Sequence, residues 1–219
     1  EGLTLGGDRL YHYQLARLSA NGDLPFRDWW SEFPPIWSWL SVAVFRGFNN
    51  APFAVWTAVM SVIMLGFDIG NLWLMRAIGS RIYGRPTGVA VAWSYAMLAL
   101  PVIQLFWHFE TMAAFWLLLG LYALIARRDT VMAVSTAVGA LVKFTPALLL
   151  GAALRYRHPL KSVYILVVAV GLFAATYGVL LIDNPNPEVT LTSLTAQFRK
   201  ASYGSVWALI DGNLSVGDL

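Results

Sequence analysis

Three carboxylates and one ammonium stand out in this chain because so little else in it is charged. Asp8 opens "DRLYHYQLARLSA", Glu32 precedes the proline pair of "SEFPPIWSW", Glu110 ends the turn "WHFE", and Lys143 interrupts the apolar run "VMAVSTAVGALVKFTPALLLGAAL". A carboxylate can take the proton of a hydroxyl as that hydroxyl attacks a carbon centre. An ammonium in apolar surroundings costs at least about 2.5 kcal/mol unless it is paired or snorkels, so Lys143 needs an anion. Two anions fit: the interior acid Asp68 of "MLGFDIGN", or a phosphate reached from within the bilayer. In the tail, "AQFRKASYGSVW" puts Arg199 and Lys200 beside Tyr203 and Trp207. That pairing of cations and rings suits a phosphate and a sugar ring, and it suits a plain interfacial anchor equally well.

Each acid also has a purely structural reading. Asp8, after Gly6 and Gly7, is a good N-cap whose carboxylate would accept the free amides of a first helical turn. Glu32 reads equally as a solvated interfacial acid, and Glu110 as the cap of the helix that follows it, favouring its dipole. His108, beside Glu110, is a candidate to share a divalent metal with it, although the chain has only three histidines and no metal-type spacing. No Gly-rich phosphate loop is present, which argues against a cytosolic nucleotide-sugar or ATP site.

The elements that must position these groups belong to a membrane protein. With 219 residues, 58% hydrophobic and 12% charged, and a mean hydropathy of +0.61, the chain is too apolar for a soluble domain. Ten Trp, nine Tyr and twelve Phe suit interfacial depth. The net charge of +3 is spread between apolar runs, so a nucleic-acid partner has little support, and the absence of cysteine excludes disulfides and thiolate chemistry. A short amphipathic helix is expected over 8–20. A second, of about thirteen residues after Pro34-Pro35, is some 20 Å long and too short to cross, so it lies along the interface. Spans are expected at 52–78, 87–106, 110–127 and 161–182.

Arg76, Arg81 and Arg85 after the first span, and Arg127 and Arg128 after the third, assign both loops to the cytoplasm. Everything before residue 50, the Glu110 turn and the segment after Asp183 then lie outside. The run 131–154 has arginines at both ends, which predicts a re-entrant pair of half-helices breaking at Lys143 to Pro146. The expected fold is therefore all-α, with about four spanning helices, a re-entrant or broken pair and two interfacial helices. The whole chain, 1–219, reads as one membrane domain: an outer loop over 1–50, a bundle over 52–182 and an outer segment over 183–219. It also reads as a piece of a longer protein, with an apolar span expected before Glu1.

Asp8 opening an outer-loop helix, "EFPP" leading an interfacial helix, an acid in the "FWHFE" turn and then "LVKFTPALLL" together resemble the GT-C superfamily of integral-membrane glycosyltransferases. The closest likeness is to bacterial polyprenyl-phosphomannose-dependent mannosyltransferases. It covers most of 6–155 and weakly 197–213. The resemblance implies Asp8 as catalytic base, Glu32 and Glu110 as further catalytic acids, and Lys143, Arg199 and Lys200 on the donor phosphate. Arg9, Tyr203 and Trp207 are expected on the substrates. Two positions depart from the family: Glu110 replaces the usual Asp, and Phe33 stands where the aminoarabinose branch carries lysine.

The implied partners are a polyprenyl-phosphate sugar, a lipid, glycan or protein acceptor, the surrounding lipids and further subunits. The implied location is the plasma membrane of a bacterium or archaeon, with the site on the outer face. No organic cofactor is expected; a divalent metal is the one candidate. Two other readings compete, a noncatalytic GT-C-like subunit of a membrane assembly and a transporter. A transporter would bind near the midplane, past Lys143 and Asp68.

Overall fold

The computed structural model describes residues 7–98 and 109–199, in which every element is helical. In chain order these are α1 (Gly7–Leu18), α2 (Pro35–Gly47), α3 (Phe53–Tyr83), α4 (Arg85–Ala96), α5 (Glu110–Ile125), α6 (Asp129–Val142), α7 (Leu149–Tyr156), α8 (Pro159–Leu181) and α9 (Pro187–Arg199). Short 3-10 turns occupy Ser19–Asn21 and Thr145–Leu148. Two of the helices, α3 and α8, are long and apolar enough to cross a bilayer, while α5 and α6 are apolar but shorter. The thirteen-residue helix expected after the proline pair is α2, with Pro35 in its first turn, where a missing N–H leaves no bond unmade. The span expected over 87–106 is helical from Arg85 to Ala96, and 99–108 lies outside the described residues.

The 31 residues of α3 extend about 46 Å, some 15 Å more than a hydrocarbon core requires. The excess carries a separate layer. Trp56, Met60 and Met64, all fully buried near the start of α3, pack with Tyr13 and Ala16 of α1 and with Trp37 and Phe45 of α2. Hydrogen bonds pin the same contact: Arg9 Nη1 donates to Thr57 O at 3.2 Å and Ser61 Oγ at 2.7 Å, and Trp56 Nε1 donates to Ser41 O at 3.0 Å. Farther along, Asn71 Nδ2 donates to Thr111 O at 2.9 Å, so α5 begins level with a point just past the middle of α3. The Phe109-Glu110 turn therefore lies directly beneath the α1–α2 layer.

The segment after α8 returns to this layer. Asn184 Nδ2 donates to Phe26 O at 3.0 Å, Thr190 Oγ1 to the same carbonyl at 2.6 Å, and Asn186 Nδ2 to Arg27 O at 3.1 Å. Phe26 has φ of +66°, a strained value for a bulky side chain, and its burial together with these bonds holds it there. The N-terminal layer and the start of the C-terminal segment thus share one end of the molecule.

Between Asp129 and Arg157 the chain goes up and comes back. Helix α6 stops at Val142, Lys143 is extended (φ −158°, ψ 143°), and Pro146 stands in the 3-10 turn that leads into α7. At the tip, a Cβ added to Gly139 would lie 2.6 Å from Pro146 Cβ and 2.9 Å from Trp116 Cβ, so glycine is what lets the two limbs close. At the open end, Arg157 Nε lies 2.9 Å from Asp129 Oδ1, and Arg157 Nη2 donates to Leu124 O at 2.5 Å. The Nε–Oδ1 contact is an ion pair without hydrogen-bond alignment. The break falls where the lysine and proline predicted it, and both ends of the hairpin sit at one level.

Candidate active site at the helix break

Lys143 owes its position to the hairpin tip. With the helix ended at Val142 and the backbone extended, its side chain leaves the α6 axis toward the start of α5, and Nζ meets Glu110 Oε1 at 2.5 Å. Asp68 is not its partner, contrary to one sequence expectation. Asp68 lies on the face of α3 turned to α4, where the Tyr95 hydroxyl donates to its carboxylate. Nor does Glu110 cap its own helix. Phe109 occupies the N-cap position without a side-chain cap bond, and the Glu110 carboxylate goes to Lys143 instead.

The ion pair is open to exchange. The Lys143 side chain is 34% exposed and that of Glu110 45% exposed, and a pair so accessible contributes about 0–1 kcal/mol. An incoming phosphate, forming charge-assisted hydrogen bonds, can compete with a carboxylate at that level.

An aromatic cluster joins the three acid-bearing segments above the pair. The Trp37 ring stacks on Phe109 with centroids 4.6 Å apart, Phe33 meets Phe109 edge-on at 4.7 Å, and the His12 ring lies 5.4 Å from Trp37 and 5.8 Å from Phe33. Asp8 stands one helical turn before His12 on α1, Glu32 adjoins Phe33, and Glu110 adjoins Phe109. Asp8 is exposed, while Glu32 and Glu110 are partly buried. Three segments distant in sequence are thus gathered at one end of the bundle. The Glu32 loop is held firmly: Ser31 N donates to Ser193 Oγ at 2.9 Å, and Ser31 Oγ shares a hydrogen bond with Ser38 Oγ at 2.7 Å.

Arg9, expected to touch substrate, is buried and turned inward to α3, where burial pulls its pKa down to about 10. As placed, it positions α1, and with it Asp8. Lys200, Tyr203, Trp207 and His108 lie outside the described residues, as does the side chain of Arg199. Among the described residues, no three His, Asp or Glu side chains gather around a metal position.

Sequence reasoning missed an apolar groove between α6, the helix break and α8. Ala137 and Ala140 of α6, Phe144 and Ala147 of the break, and Val170 and Phe173 of α8 line it, and it descends from the level of Lys143 along the hairpin. Small residues at 137, 140 and 147 against ring-bearing neighbours were its signal. They were indistinguishable from ordinary helix packing until α8 was placed. The aromatic cluster had a clearer trace, since both "EFPPIW" and "FWHFE" set rings beside an acid. No family model matches the chain, and neither a curated protein nor a solved structure does.

Proposed function

We propose that this chain is a multi-pass membrane glycosyltransferase of the GT-C kind, moving a mannose-like sugar from a polyprenyl-phosphate donor to an acceptor hydroxyl at the outer membrane face. The observation that carries the reading is the Lys143–Glu110 pair: a cation at the tip of a broken helix, one residue before Phe144, which lines an apolar groove, and beneath the layer that bears Asp8 and Glu32. A donor of this class has a charged phosphate and a long hydrocarbon tail, and it must keep one at the water boundary and the other in lipid. Under this proposal the cation holds the phosphate and the groove, entered at Phe144, takes the tail. In this reading α4 and α5 join α3 and α8 as spans, and the hairpin of α6 and α7 is re-entrant.

The chemistry follows from the donor. The phosphate takes the place of Glu110 on Lys143, which stabilises the charge that grows on the leaving oxygen. Asp8 takes the acceptor proton as the acceptor oxygen bonds to the anomeric carbon, the bond from that carbon to the phosphate oxygen breaks, and its electron pair leaves with the phosphate. Attack opposite the leaving group inverts the anomeric centre. Lys143 and, by the resemblance, Arg199 make a general acid unnecessary, because a phosphate is already a weak base. Glu32 faces the acceptor side in this scheme.

The transporter reading is weaker on one point. It requires Lys143 and Asp68 to share a path at the midplane, whereas Lys143 pairs with Glu110 and Asp68 with Tyr95. The deciding experiment uses membranes or detergent extract containing the full chain, a radiolabelled polyprenyl-phosphate mannose donor and a panel of acceptors. Transfer that disappears in Asp8→Asn at unchanged expression supports the proposal, and no transfer with any acceptor from the parent chain rejects it.

A further inference from the structure

A second groove, away from the candidate active site, lies between α3 and α4. Leu72 and Arg76 of α3 and Val89, Ala92, Trp93 and Ala96 of α4 line it. Its shape comes from a tight crossing below it. A Cβ added to Gly88 would lie 2.5 Å from both Arg76 O and Ser80 N, so the two helices touch backbone to backbone there. Above that crossing, alanines at 92 and 96 leave the space between the helices unfilled.

The groove is apolar except for Arg76, which is exposed and has no acidic partner among the described residues. Arg76 stands seven residues before the end of α3, about 10 Å from it, a distance that a snorkelling arginine covers most of. At that end Arg81 and Arg85 are also exposed, and Trp93, 62% exposed, lines the groove eight residues farther along α4. An unpaired guanidinium on a lipid-facing helix calls for an anion, and the adjoining slot calls for a hydrocarbon chain.

We propose that this groove is a binding site for an anionic phospholipid of the leaflet at the arginine-rich end. The headgroup phosphate meets Arg76, with Arg81 and Arg85 favouring net negative charge, and one acyl chain lies along Leu72, Ala92 and Ala96. The site is independent of the transferase reading and stands or falls without it.

Native mass spectrometry of the full chain in detergent tests this directly, with phosphatidylglycerol, phosphatidylcholine of the same chains, and inorganic phosphate as probes. The expected result is one retained phosphatidylglycerol per chain, held about tenfold more strongly than phosphatidylcholine, and little phosphate. Arg76→Gln should abolish that preference. Ala96→Trp fills the groove from an exposed helical position and should expel the lipid while leaving Arg76 intact. Equal retention of both lipids by the parent chain, phosphate binding as strong as lipid binding, or undiminished phosphatidylglycerol in either variant would overturn the proposal. Thermal unfolding of each variant without added lipid shows that the fold is intact.

Discussion

Glu110 and Lys143, separated by 33 positions, meet at 2.5 Å because a helix that should have continued through Lys143 stops one residue short of it. The pair joins the first turn of α5 to the tip of the α6–α7 hairpin, and it is exposed enough for a ligand anion to take the place of Glu110 on Lys143. Its modest contribution to stability leaves the pair open to exchange.

Lys143→Ala should therefore cost about 1 kcal/mol or less in stability but raise the donor KM about tenfold or more. Glu110→Gln should leave donor affinity unchanged or tighter, since Lys143 loses its competitor, while any catalytic role of Glu110 appears as a lower kcat. Initial rates against donor concentration, with a melting curve for each variant, separate the two effects. Donor KM unchanged in Lys143→Ala removes the phosphate role.

Asp8→Asn should lower transfer by about 10²- to 10⁴-fold with donor KM nearly unchanged, the loss expected when a general base is removed. Asp8→Glu, which keeps the carboxylate, should retain more activity than Asn. If both variants turn over at the parent rate, the base lies elsewhere.

The clasp at the other end of the hairpin is a matter of stability. Arg157, with its side chain 8% exposed, joins Asp129 to the last carbonyls of α5. Asp129→Ala leaves that guanidinium buried without its counter-charge and should cost about 3–5 kcal/mol. Lowered thermal stability in detergent and faster proteolysis between α5 and α8 are the expected readouts. Lys161, 3.4 Å from Asp129 but 61% exposed, should matter much less: Lys161→Ala is expected to shift stability by about 1 kcal/mol or less.

Two glycines provide a matched comparison. Gly139→Ala forces a methyl against Pro146 and Trp116 and should destabilise by about 1–3 kcal/mol. Because it pushes the hairpin limbs apart at the tip, it should also weaken donor binding. Gly171→Ala meets nothing within 4 Å in α8 and should be neutral or stabilising by up to about 1 kcal/mol. Equal behaviour of the two variants in a melting experiment would show that the tip is not closely packed.

Much of the architecture was written locally. The proline pair sets the start of α2, and the basic residues on both flanks of 131–154 predicted a chain that turns back. The break at Lys143 to Pro146 follows from proline's missing N–H and from the cost of a cation in an apolar helix. These are properties of residues and their near neighbours, so they can be read without coordinates. The placement of Asp8, Glu32 and Glu110 in segments sharing one end was also legible, because loop charge fixes which turns lie together.

Tertiary structure decided which partners meet. A lysine in an apolar run needs an anion, and the sequence offered Asp68 or a ligand phosphate but did not point to Glu110. The choice depended on the direction in which each helix face points: Asp68 turns to Tyr95 on α4, while the extended backbone at Lys143 aims its side chain at α5. Arg9 looked like a substrate contact and is instead a clasp, since packing of α1 on an over-long α3 buries it. Both grooves were likewise hidden, for they are made by residues on different helices, and spacing along one chain carries no record of how closely two helices approach.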